Sequence, residues 1–223
     1  MSDSVIGTRA LSSVMVVKAD ENSGVNVSTK HITYCTSGMY CNALVTAGLS
    51  DAKVTVVGPF DISGTSALVG AMKAYSVMTG EEISEKTMDT ATDELVTTAE
   101  VAKNVGDKQK VTELVAAAKK AVFEDQLSSE TDIRDAIEQA ANELSIDLSD
   151  DDVEKLTNMM MKVSKEDIDP DTIAKQASDI YNKLKEKGID LANVDTKGLS
   201  EKIGDFFGNI FTAIANFFSG LFG

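Results

Sequence analysis

Apolar and polar positions follow two rhythms along this chain, and the rhythm changes near Gly80. From Ala10 to Lys18 the residues are largely apolar and β-branched. Asp20, Glu21, Asn22, Ser23 and Gly24 then supply turn chemistry, and Val25 to Thr29 alternates apolar with polar. This pattern predicts a β-hairpin. After Ile32-Thr33-Tyr34 the spacing turns helical: Met39, Tyr40, Ala43, Leu44 and Ala47 recur every three or four residues and Gly48 closes the run, which predicts a helix over Ser37–Ala47. Val54-Thr55-Val56-Val57 is a short buried-strand run that stops at Gly58-Pro59. Ser63 then caps a helix carrying Leu68, Val69, Met72 and Tyr75. The order is ββαβα, an α+β layer with helices packed on a small sheet.

Beyond Gly80 the pattern is helical throughout. Start and stop signals stand at Gly106-Asp107, Ser128 to Asp132, Ser149 to Asp152, Asp169-Pro170 and Gly188. Between them run three apolar stripes: Val111, Leu114, Val115, Ala118, Val122; then Ile133, Ala136, Ile137, Ala140, Leu144; then Ile173, Ala177, Ile180, Tyr181, Leu184. Short connections imply antiparallel packing. Met159-Met160-Met161 reads as adaptable core filling.

Charge sharpens the division. Residues 1–80 carry five basic and five acidic side chains, so the formal net charge of −15 on this 223-residue chain falls on the C-terminal two thirds. Three regions are expected: a small α+β domain over 1–80, an acidic helical domain over 81–197, and an amphipathic C-terminal helix over 198–223. The negative charge repels phosphate backbones and anionic surfaces, which makes nucleic acid a poor partner. One His and two Cys are too few for the usual four-ligand zinc site. No cofactor or metal is expected.

Six of the eight Phe lie in the last 18 residues, and no charge follows Asp205. Ile203, Phe206, Phe207, Ile210, Phe211, Ile214, Phe217, Phe218, Leu221 and Phe222 make a broad apolar face, with Asn209, Thr212, Asn216 and Ser219 opposite. Leaving ten such side chains wet forfeits on the order of 15 kcal/mol, so that face needs a partner. As a membrane span the 18 uncharged residues from Phe206 reach about 27 Å, a little short of a hydrocarbon core of about 30 Å. As an interfacial helix the segment lacks a Lys/Arg face. Gly204, Gly208, Thr212, Ala215 and Ser219 form a ridge of small residues that admits a second helix. Docking on its own helices, self-association, membrane contact and truncation of a longer chain all stay open.

Three places carry candidate chemistry. Cys35 and Cys41 sit close enough for a disulfide in an oxidising compartment, worth about 2 kcal/mol in so short a loop; the alternative is two buried thiols. Ser63, Gly64, Thr65 and Ser66 lie between a strand and a helix, where backbone N–H groups hold an anion or small ligand or serve plain capping. The stretch lacks the Gly-Lys-Ser/Thr ending of a nucleotide loop. Asp147, Asp150, Asp151 and Asp152 fit a helix's first turn better than a calcium loop. His31, the only imidazole, reads as a surface or pairing residue. No catalytic constellation stands out, and no enzyme is expected.

Four ordered stretches resemble the YpuA-like family, catalogued as domain of unknown function 1002. They are Ile6-Gly7-Thr8-Arg9-Ala10-Leu11-Ser12-Ser13, Met39-Tyr40-Cys41-Asn42-Ala43-Leu44-Val45-Thr46-Ala47-Gly48, Pro59-Phe60-Asp61-Ile62-Ser63-Gly64-Thr65-Ser66-Ala67-Leu68 and Glu94-Leu95-Val96-Thr97-Thr98. The resemblance covers about residues 5–125. It implies a secreted or cell-envelope protein of Firmicutes, with no activity or catalytic residue to carry over. Members carry a signal peptide and a further N-terminal segment before the Ile-Gly-Thr-Arg stretch, and this sequence shows neither. If that segment supplies a strand, the sheet has an edge that something must cover.

The expected function is therefore a non-enzymatic binding, assembly or structural module of the cell envelope or exterior, with a C-terminal helix for docking, self-association or membrane contact. The alternatives are a membrane-active protein that inserts this helix, and a wall-polymer hydrolase whose acidic residues are not identifiable.

Overall fold

β-Branched runs and well-placed caps account for most of the elements in the computed structural model, which describes residues 11–173 together with 175 and 176. β1 (Ser13–Lys18), β2 (Val25–Ile32) and β3 (Ala52–Ile62) form one three-stranded sheet in the order β1-β3-β2. β3 runs antiparallel to β1 and parallel to β2. The parallel connection passes through α1 (Ser37–Thr46), whose N-cap Thr36 accepts from the Met39 N–H. α2 (Ala67–Thr79) follows β3, so the predicted order ββαβα is the observed one.

The predicted hairpin is not formed. Turn residues 20–24 do reverse the chain, but β2 is set two strand spacings from β1, about 10 Å, and β3 fills the gap. The Val-rich run of β3 explains this. Ala52, Val54 and Val56 are fully buried, and a strand so apolar belongs in the centre. Nor does the strand stop at Gly58-Pro59: it continues to Ile62, which pairs with Ile32 across a register shift. Proline is tolerated there because β1 pairs only as far as Val57. Gly58 is required, since a Cβ would lie 2.7 Å from the His31 carbonyl oxygen. Ser63 does not cap α2. The helix starts three residues later, after Ser66, and the Ser63 carbonyl instead accepts from the Cys35 N–H at 3.3 Å.

Four helices complete the described chain: α3 (Glu85–Val105), α4 (Lys108–Glu124), α5 (Glu130–Glu143) and α6 (Asp150–Val163). Their boundaries fall on the punctuation read from sequence. Gly106 ends α3 at φ +81°, and Asp107, Ser129 and Ser149 each accept backbone N–H bonds as N-caps. Each helix packs on the next and α6 returns to α3, closing a bundle. Lys162 meets Asp93, Lys155 meets Glu100, and Asp152 accepts from Asn104; numbers rising on α3 and falling on α6 show the two to be antiparallel. Met159 and Met160 are core residues, and the first two apolar stripes are buried, Leu144 only partly.

α1 lies between the layers, in contact with β2 on one side and with α3 and α4 on the other. The hydrophobic core is one continuous cluster from Val25 to Ile173. Residues 170–173, 175 and 176 are helical. The rest of the third stripe, the Gly188 signal and the whole 198–223 segment lie outside the described residues.

Candidate functional site

Lys119 sits one turn after Val115 and three residues before Val122, so the α4 periodicity turns it inward. Its ammonium group is 1% exposed and lies 2.6 Å from the Glu94 Oε1 of α3, itself 0% exposed. All three donors are used: the other two go to Thr46 Oγ1 at 2.7 Å and the Asn42 carbonyl at 2.8 Å, both on α1. The Thr46 hydroxyl in turn donates a hydrogen bond to Glu94 Oε2. Asn42 extends the network, donating from Nδ2 to the Thr112 carbonyl at 3.1 Å and accepting at Oδ1 from Gln176 Nε2 at 3.2 Å. Burial pushes the Lys119 ammonium below its ordinary pKa, and the Glu94 carboxylate pulls it back up. This sealed and saturated pair fastens α1, α3 and α4 together. It has no path to a substrate in this conformation.

None of the sequence-predicted residues among those described belongs to that network. Cys35 and Cys41 do not form the disulfide; both are buried thiols. α1 begins between them and turns them to different neighbours: Cys41 Sγ donates to the Val25 carbonyl at 3.4 Å, while Cys35 lies near the Tyr40 hydroxyl. Burial raises the Cys35 thiol to about 12, so it stays protonated and unreactive. Ser63, Gly64, Thr65 and Ser66 form the turn from β3 into α2. Gly64 accepts from the Tyr40 hydroxyl and from the Ala67 N–H at 2.9 Å, and Thr65 accepts from the Leu68 N–H at 3.4 Å. The first donors of α2 thus close on the turn itself. Gly64 has φ +89°, and a Cβ there would lie 2.5 Å from Ile32 and the Tyr40 hydroxyl, so no side chain fits.

His31 is exposed, with Nδ1 3.2 Å from Asp61 Oδ1. A cleft of about 160 Å³ opens where residues 169–176 meet the start of β2, lined in part by Asn22, Asp51, Asp169, Asp171, Lys175 and Gln176. It is smaller than an ordinary ligand pocket of about 300 Å³ or more. Two of its carboxylates are also committed: Asp51 accepts from the Gly24 N–H at 3.0 Å, and Asp169 accepts from the Thr172 N–H and hydroxyl at 2.8 Å, which holds its carboxyl below the usual range. Asp152 takes part in the α6 cap with Ser149. Among the described residues no three His, Cys, Asp or Glu side chains could hold a metal ion, and no helix is long and apolar enough to cross a membrane.

The Lys119–Glu94 pair is what sequence reasoning missed. Its only trace is a lysine at a stripe position of α4, whose partners stand 25, 73 and 77 residues away. Two stretches that carry the family resemblance meet in this network, Met39–Gly48 through Asn42 and Thr46 and Glu94–Thr98 through the buried acid; Pro59–Leu68 joins α1 at a separate contact, where Gly64 accepts from Tyr40.

An α+β layer fastened to a closed helical bundle by a sealed ion pair is thus the class of protein that fold and site define. The chain belongs to the family described as protein of unknown function (DUF1002), whose model matches residues 1–180. It is similar to the uncharacterized protein YpuA of Bacillus subtilis (strain 168), 38% identical over 220 residues that cover 98% of this chain and 74% of that protein. No solved structure matches.

Proposed function

We propose that the protein is a non-enzymatic binding or assembly module of the bacterial cell envelope or exterior, in which a rigid α+β body carries a C-terminal association segment. One observation carries this reading: the buried polar chemistry is spent on the fold, while apolar side chains are left outside. The three donors of Lys119 and both oxygens of Glu94 are bonded within the core. Met15 and Phe60, by contrast, are 58% and 60% exposed on the sheet layer. An enzyme needs the opposite arrangement, with ionisable groups open to a cleft. The address is part of the proposal and is supported only by what the family resemblance implies.

Co-flotation with lipid vesicles, comparing residues 1–223 with a chain ending at Lys202, tests the role of the C-terminal segment. Flotation of the longer chain alone makes the segment a membrane element. If neither chain floats, the segment is satisfied by protein. The alternative of membrane insertion is favoured by the unbroken Phe-rich sequence after Asp205. Dye release from vesicles, lost on Phe211→Asp, would establish it, and intact vesicles at full binding would remove it.

A further inference from the structure

The sheet has one covered face and one open face. Val14 and Val16 of β1, Val54 and Val56 of β3, and Val25 and Val27 of β2 face the helices. The alternate positions form three rows on the other side: Val17, Lys53 and Asn26; Met15, Thr55 and Ser28; Ser13, Val57 and Lys30. The β1 side of this face is apolar and wet, with Met15 58% and Val17 45% exposed. None of the nine positions is acidic, on a chain whose net charge is −15.

We propose that the Phe-rich segment 203–222 of the same chain docks over this open face, along β1 and β3. The proposal rests on reading that segment as an association element, and it names the surface. Composition fits: Asp205 is the only charge between Ile203 and Phe222, and Lys53 and Lys30 are the only charges on the face. Width fits as well, because three strands at about 4.8 Å spacing offer a bed about 10 Å across, the diameter of one helix. So does reach. Gln176 is held by Asn42 and lines a cleft with Val25 and Asp51, at the sheet end that carries the Val17–Lys53–Asn26 row. The 26 residues from 177 to 202 span about 39 Å even if wholly helical, against a strand about 20 Å long.

Oxidation of Met15 by dilute hydrogen peroxide reads the dock directly, with buried Met39, Met72 and Met159 as internal standards in each chain. The intact chain is compared with Ile210→Asp/Phe211→Asp and with a chain ending at Lys202. Docking with nine tenths occupancy makes Met15 about 10-fold slower to oxidise in the intact chain than in either variant, at any protein concentration. Equal rates in all three chains overturn the proposal. So does protection that rises with concentration, which points to a second copy, or protection that appears only with phosphatidylglycerol vesicles, which points to a membrane. Should the variants lose protection of Met39 and Met72, they are not folded, and the intact-length Met15→Cys/Ile214→Cys chain decides: a disulfide within the monomer supports the dock and its absence under oxidation removes it. Unprotected Met15 together with flotation of the intact chain would remove this dock alone. Unprotected Met15 without flotation or self-association would remove the association reading too.

Discussion

The junction of α1, α3 and α4 and the open face of the sheet invert the usual distribution of side chains. The junction hides a lysine and a glutamate; the open face leaves Met15 and Val17 in water. Removing two charges from water costs several kcal/mol per ion, so the junction persists only because every donor and acceptor is matched. Exposed valine and methionine carry no such penalty and need no geometry. The interior is therefore specified residue by residue, while the sheet surface is specified only as apolar along β1 and free of acids. Function is to be sought on the second.

The widest gap should appear between a break in the junction and a change on the open face. Lys119→Met leaves Glu94 buried without its counter-charge and is expected to cost about 3–5 kcal/mol, read as a fall in the urea midpoint. Glu94→Leu/Lys119→Met should lose well under the sum of the two single changes. Strict additivity would mean that the pair does not act as a unit.

Gly64→Ala comes next, at about 3 kcal/mol, because its Cβ would lie 2.5 Å from Ile32 and Tyr40 at φ +89°. Gly80→Ala has a similar φ of +78° but open space, and should cost about 1 kcal/mol. If the two glycines proved equal, the packing of the β3–α2 turn under α1 would be in error.

A pH series isolates a smaller effect. Burial and the nearby Asp107 raise the Glu113 carboxyl on α4 to about 7. A raised acid favours the folded state in its protonated form. Its contribution is complete below the ordinary carboxyl range and is lost as pH climbs through 7. Glu113→Gln should match the parent near pH 5 and exceed it at pH 8 by on the order of 2 kcal/mol in urea unfolding. A constant offset across that range would contradict the burial. Met15→Lys, on the open face, should move stability by no more than about 0.5 kcal/mol, so any larger effect on thermal unfolding would itself indicate a covered surface.

Local signals were legible and distant ones were not. Ser129, Ser149, Asp107 and Gly106 mark helix ends because a cap is made with residues two to four away. The stripes of α4 and α5 were readable for the same reason. The hairpin was misread because turn residues 20–24 show that the chain reverses and not which strand lies alongside; β3, whose pairs with β1 span 34 to 44 residues from Lys18–Ala52 to Ser13–Val57, decides that. Gly58-Pro59 looked like a stop because the missing proline donor matters only where a neighbour awaits it. Glu94 and Lys119 each looked like one charge among many, since nothing in a charge count shows that two helices bring them together.

The placement of β3 in the middle of the sheet also sets an order of events as the chain is made. β1 and β2 emerge first and have no ladder partner in each other; neither can be completed until the segment ending at Ile62 follows. Sealing the junction waits longer, for Lys119. Before Ile62 the chain holds unpaired strands, and from there until Lys119 it is a layer not yet fastened to its bundle, exposed to aggregation and proteolysis meanwhile.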